Sequence, residues 1–277
     1  MTSPGTATGL DHVGRFARAA ERFADLVAAV DLGAPVPHCP GWTAYDVVTH
    51  LGNVHAWAAT IVETGLEAPT QDDAPRTHRA RVVRDWYSGK AEDLYRVLRG
   101  TDPERPCWNF AFGAGVAGFW GRRQLHETTI HTVDLDSVSR GTTQVAPQVA
   151  ADGVDEVLTV FLHRMHMRGH PAALTAPLCL VCEDAGNAWT LTPRVARGEP
   201  DLAVPVQPRG SAAEAAPALA VDGPPVVVDR RHPGADRVSA PADVLYRALW
   251  KREPTDALTR TGDLARIDAF LGSRLVP

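Results

Sequence analysis

One helix-length stretch carries an unusual set of side chains for a face that begins apolar. Val116, Trp120, Arg123, Glu127, Ile130, His131 and Asp134 follow at steps of three and four, apart from the neighbouring pair Ile130 and His131. Such steps place side chains on one face of an α-helix. Burying Arg, Glu, His and Asp together without partners would cost several kcal/mol, so these groups must be paired or bound to something. Glu127 and His131 form an i,i+4 pair, which sets a carboxylate and an imidazole about one turn apart. Upstream, His50 lies three residues after Val47 and four before Val54, so it projects from an apolar helix face. Two imidazoles and one carboxylate, offered by two helices of a bundle, are a donor set for one divalent metal such as zinc. A competing reading of the same residues is a hydrogen-bonded core histidine and an Arg123–Glu127 ion pair on a surface helix.

Other reactive side chains make weaker constellations. Cys179 and Cys182 have C-x-x-C spacing inside an apolar run. On a strand, residues three apart face opposite sides, which predicts two buried small hydrophobes rather than a chelate. His163, His166 and His170 read as a solvated C-terminal helix turn, where cationic side chains are favoured. His55 and His126 flank the proposed ligands but fall off their faces, so they are left outside the ligand set. No G-x-S-x-G, P-loop or strand-to-helix G-x-G-x-x-G occurs.

These residues need helices to hold them, and the pattern supplies five. Apolar residues recur at helical spacing over 10–30, and a Pro- and Gly-rich connection follows over 33–41. Thr43 is a good N-cap for the helix bearing His50, with Asp46 in its first turn. A loop over 68–75 leads to a helix over 79–99, an irregular stretch over 101–115, and the helix over 116–139 closed by Gly141. A fifth helix is predicted over 149–168, ended by Gly169-His170-Pro171. Beyond it the texture changes to short apolar runs at 178–182, 188–191, 202–206, 219–221 and 226–228, separated by turn residues. Helical patterns return over 242–251 and 262–275, and 211–217 reads as a loop. The fold class expected is α+β, with a helical bundle over residues 1–170 followed by a small α/β domain over 171–277.

A chain of 277 residues with 44% apolar and 22% charged residues can bury a sizeable core. A net charge of −5 without any Lys/Arg-rich run offers no footprint for nucleic acid. No uninterrupted apolar segment is long enough for a membrane span. The first nine residues lack the charged and apolar regions of a signal peptide and read as a frayed tail. Four scattered cysteines make no disulfide scaffold and fit a reducing cytoplasm.

The segment Cys39-Pro-Gly-Trp-Thr-Ala-Tyr-Asp-Val-Val-Thr-His50-Leu-Gly-Asn-Val-His55-Ala-Trp57 resembles the second-helix signature of the mycothiol-dependent maleylpyruvate isomerase family. Arg122-Arg-Gln-Leu-His-Glu127-Thr-Thr-Ile-His131-Thr-Val-Asp134 resembles its fourth-helix signature. The stretch 241–252, with Thr261-Gly-Asp263-Leu, is similar to its second domain. The resemblance implies a DinB-like four-helix bundle followed by a small α/β domain. It also implies zinc, or another divalent metal, on His50, Glu127 and His131, with mycothiol as thiol cofactor. A further implication is a C-terminal arginine that assists substrate binding. Arg252 is the match, although Lys251 stands where a glycine is expected, and Arg247 competes with it.

Three protein ligands leave an open metal position, as catalytic zinc requires. A metal-bound thiol loses its proton, and the thiolate can add to an activated double bond or displace a leaving group. Asp134, about one turn beyond His131, is placed to accept the second ring N–H of that histidine. The expected function is therefore isomerisation or S-conjugation of a small, carboxylate-bearing electrophile with a low-molecular-weight thiol. Its alternatives are a hydrolase using metal-bound water and a non-catalytic module braced by metal, with Asp134 or His126 closing the site.

Overall fold

The protein is described by a computed structural model over residues 9–139, 141, 143–194, 226–228 and 236–277. The predicted tail over 1–9 lies outside these residues but for Gly9. The strands predicted over 202–206 and 219–221 and the loop over 211–217 lie wholly outside them.

Four helices form the N-terminal bundle. Helix α1 (His12–Ala29) is capped by Asp11, whose side chain accepts from the Gly14 amide, and buries Phe16, Ala20, Phe23, Ala24 and Val27. Helix α2 (Ala44–Thr64) begins with a full capping box, Thr43 and Asp46 each satisfying the other's backbone amide, and ends at Gly65 in the left-handed region. Capping by Thr43 stabilises the helix by about 1 kcal/mol and fixes where the His50 turn begins. Helix α3 (Ala80–Gly100) and helix α4 (Gly118–Val138) complete the set. Both α3 and α4 pack against α1 and against α2. Helix α4 is buried almost all round, which is why its polar residues must find partners within the protein.

Two predictions in this half need correction. Part of the stretch expected to be irregular is an antiparallel hairpin, β1 (Pro106–Asn109) and β2 (Gly113–Val116). Its turn is closed by Asn109 Oδ1, which accepts from the amides of Ala111 and Phe112, and by Gly113 at φ 75°. The predicted fifth helix is three pieces: α5 (Pro147–Glu156), a π turn (Val157–Phe161) and α6 (Leu162–Met167). Pro147 at the first position starts it earlier than expected, because proline there forfeits no helical hydrogen bond.

The C-terminal part is a small sheet with helices. Strands β3 (Leu178–Cys182), β4 (Ala188–Thr192), β5 (Val226–Val228), β6 (Asp236–Ala240) and β7 (Thr259–Thr261) run in the order β5-β4-β3-β6-β7. Only β3 and β6 are parallel. Strands β6 and β7 were missed from sequence because Asp236, Arg237 and Arg260 break any apolar run. Helices α7 (Ala242–Leu249) and α8 (Leu264–Gly272) fall where helical patterns return, each shorter than predicted. On β3, Leu178, Leu180 and Cys182 join the main core while Cys179 and Val181 pack with Ala188 apart from it. The two cysteines thus face opposite sides of the sheet. The main core runs unbroken from the bundle into the C-terminal part, and α5 packs directly on α7. No described helix is long and apolar enough to cross a membrane.

Candidate metal centre

Helix α2 presents His50 and helix α4 presents Glu127 and His131 to one point. Glu127 Oε1 lies 3.3 Å from His50 Nε2 and 3.5 Å from His131 Nε2. One ligand atom from each of the three falls within 4.8 Å of the others. Donors about 2.0–2.2 Å from a tetrahedral zinc stand about 3.3–3.6 Å from one another, so both contacts of Glu127 Oε1 already have the spacing that such an ion requires. The side chain of His50 is 36% exposed, against 16% for Glu127 and 10% for His131. The cluster therefore opens on the His50 side, where the exposed Trp42 ring stands edge-on to the imidazole at 5.1 Å.

Each α4 ligand is held by a neighbour on the same helix. Arg123, one turn before Glu127, donates to its other oxygen, Oε2, at 2.8 Å. Asp134 Oδ2 stands 3.0 Å from His131 Nδ1 and so accepts its N–H, leaving Nε2 as the ligand atom. These supports are themselves anchored. Arg123 donates to Glu156 at the end of α5 and lies over the rings of Phe161 and Trp250. Asp134 receives Arg252 Nε and Nη2, each at 2.9 Å, and the Cys39 thiol at 3.4 Å. Arg252 Nη1 donates to the Trp250 carbonyl.

The electrostatics follow from burial set against these partners. Burial alone would raise Glu127, but Arg123 and the two histidines hold its carboxyl well below the usual carboxylate range. Burial disfavours the charged His131 ring, yet Asp134 and Glu127 outweigh it and hold its pKa up at about 9. Asp134 is kept ionised against its burial by His131 and Arg252. Burial pushes Glu156 up to about 8 despite Arg123 beside it. The Cys39 thiol is pushed up to about 12 by burial and by Asp134.

Of the remaining predicted residues, Arg252 meets the cluster through Asp134, whereas Arg247 pairs with Asp243 and Glu253 and sends none of its hydrogen bonds there. His55 bonds Gln124 and Tyr87, and His126 bonds Asp152, so both lie outside the ligand set. With both Asp134 oxygens engaged and His126 turned to Asp152, neither is placed as a fourth ligand. Sequence reasoning missed Cys39, Trp42 and Glu156. The contacts of Cys39 and Glu156 join segments far apart in the chain, and Trp42 meets His50 across the start of α2, off the helical spacing that marked His50.

Residues 16–136 match the family described as mycothiol maleylpyruvate isomerase N-terminal domain. No curated protein matches the chain. Among solved structures, the mycothiol-dependent maleylpyruvate isomerase is similar with a TM-score of 0.57 and 11% identity, over 91% of this chain and 92% of that one. A histidine-to-alanine mutant of that isomerase is similar with the same TM-score, identity and coverage. The chain thus has the fold of that isomerase, and its residues 16–136 match the mycothiol maleylpyruvate isomerase N-terminal domain.

Proposed function

We propose that this chain is a metal-dependent enzyme that uses a low-molecular-weight thiol such as mycothiol to isomerise or S-conjugate a small electrophile bearing a carboxylate. The observation that carries this reading is the convergence of His50 Nε2, Glu127 Oε1 and His131 Nε2 on one point that opens outward at His50. When bound there, zinc or another divalent ion supplies a positive charge that favours the deprotonated form of a thiol. With Asp134 and His126 engaged elsewhere, the fourth position is open to such a thiol, which favours a catalytic over a bracing role.

The chain's own residues supply the rest. Asp134 holds His131 in the tautomer whose Nε2 faces the centre. Arg252 neutralises Asp134, and as the C-terminal arginine that reaches the cluster it is the group to hold a substrate carboxylate. Arg247, which pairs with Asp243 and Glu253 rather than with a residue of the cluster, is the weaker choice. The domain name and the neighbour's name support mycothiol as the thiol and a maleylpyruvate-like substrate.

Elemental analysis tests the reading first. Wild type should hold about one zinc per chain, and Glu127→Ala and His50→Ala should each lose it together with thiol-dependent turnover. Zinc-free wild type after supplementation and dialysis would overturn the metal reading. Full turnover in thiol-free buffer would instead make the chain a hydrolase at the same centre.

A further inference from the structure

Arg123 is held more elaborately than a buried ion pair requires. It is 2% exposed, and its partner Glu156 is 1% exposed. One guanidinium nitrogen donates to Glu156 and another donates to Glu127 Oε2 at 2.8 Å. The guanidinium carbon lies 4.9 Å from the Phe161 ring centre and 5.6 Å from that of Trp250. Charge, hydrogen bonds and rings thus fix it from the end of α5, from the π turn and from the end of α7. A guanidinium is a rigid planar fork, so constraining its plane constrains what its hydrogen bonds hold.

We propose that Arg123 is a positioning residue that keeps Glu127 monodentate: by engaging Oε2 it leaves Oε1 alone to face the two imidazoles. This rests on the reading that His50, Glu127 and His131 bind one divalent ion. A carboxylate free at both oxygens can chelate a cation through both and fill the position that an incoming ligand needs. With Oε2 tied to Arg123, Glu127 contributes one donor and the centre keeps that position open. Glu156 is the second hydrogen-bond acceptor of Arg123, and the Phe161 and Trp250 rings fix its plane. Trp250 and Arg252 lie two residues apart, so one turn of the C-terminal part secures the supports of both α4 ligands.

The test uses the full chain, with zinc affinity measured by chelator competition and the coordination geometry read from the visible absorption of the cobalt(II)-loaded protein. If wild type takes up no metal, the metal reading itself fails. If wild type loads and His50→Ala does not, the positioning claim stands to be judged. The informative variant is Arg123→Met with Glu156→Met, which removes the buried pair together, so that neither partner is left behind alone, and frees Glu127 Oε2. It should weaken zinc binding by about 10–100-fold, and its cobalt bands should lose intensity as coordination rises above four. Wild-type affinity and an unchanged cobalt spectrum in the folded double variant would overturn the proposal. Should that variant fail to fold, Arg123→Lys, which keeps the charge but loses the fork, carries the same comparison with the same opposing outcomes.

Discussion

Three histidines inside one bundle show how neighbours decide what an imidazole does. His131 stands between two carboxylates and is held up at about 9, whereas burial takes both His55 and His126 down to about 4. His55 has a side-chain amide and a phenol as hydrogen-bond partners, with no charge among them. His126 does bond Asp152, but that carboxylate also serves His12 and Arg122, and the cations beside it add to the effect of burial. The pH dependence of stability follows for His55. Its pKa in the folded chain lies below the ordinary 6.5, so between pH 6.5 and about 4 the unfolded chain takes up a proton that the native chain refuses. Stability is therefore full above this window and falls as pH drops through it, by something on the order of 3 kcal/mol for a shift of this size. Denaturant unfolding of the metal-free protein at several pH values between 7 and 4.5 checks this. Relative to wild type, His55→Gln should be less destabilised by the fall in pH, while His126 acts in the same direction as His55 and the raised Glu156 and His131 oppose it in both proteins. Identical slopes would show that His55 takes up its proton in the fold as readily as in the unfolded chain.

At the scale of elements, the turn after α7 carries the one strained residue. Lys251, at φ 63°, has a left-handed backbone and is the only non-glycine residue with positive φ among the described residues. That conformation crowds a Cβ against the neighbouring carbonyl, yet the turn sets Trp250 over Arg123 and brings Arg252 to Asp134. Lys251→Val, with a branched Cβ, should lower stability by about 1–2 kcal/mol, while Lys251→Gly should stay within about 1 kcal/mol of wild type. Thermal unfolding of the two variants distinguishes them, and equal losses would mean that the conformation is not what limits the position. The same turn marks where sequence reading reached its limit. Helical spacing exposed α1 to α4, and the polar face of α4 pointed to Glu127, His131 and Asp134 because steps of three and four are local. Thr43 and Asp46 likewise announced the start of α2, since a capping box is complete within four residues. Lys251 could be seen only as a departure from an expected glycine. Strands β6 and β7 are short and charged, and each gains its place from a neighbour far away in the chain, so alternation could not reveal them. The hairpin β1–β2 was hidden because β2 is Gly-Ala-Gly-Val, with little apolar pattern to read.

For the whole molecule, the expected boundary near residue 170 separates textures of sequence rather than cores. Bundle and sheet share one apolar core, and α5 is sandwiched into it by α7. Polar ties cross the same line: the Tyr246 hydroxyl donates to the His126 carbonyl, the Trp189 indole to Asp155, and Arg252 to Asp134. Removing everything after residue 172 would expose Val154, Leu158 and Phe161, strip Trp250 from Arg123 and leave the buried Asp134 without Arg252. Asp134 would keep only His131 of its two cationic partners, and breaking a buried ion pair costs several kcal/mol, a large share of the stability of a domain of that size. A 1–172 fragment should therefore unfold at a much lower temperature than the full chain, with reduced cooperativity and binding of an apolar dye. Any zinc it retains should be held more weakly than by the full chain, because Trp250 and Arg252, which anchor Arg123 and Asp134, are lost at once. Calorimetry and chelator competition on the fragment decide the matter. A sharp transition at the full-length temperature with undiminished zinc affinity would show that the bundle assembles its metal centre alone. Weak zinc and a broad transition together would make the C-terminal part a structural component of that centre, contributing through two side chains that touch no ligand directly.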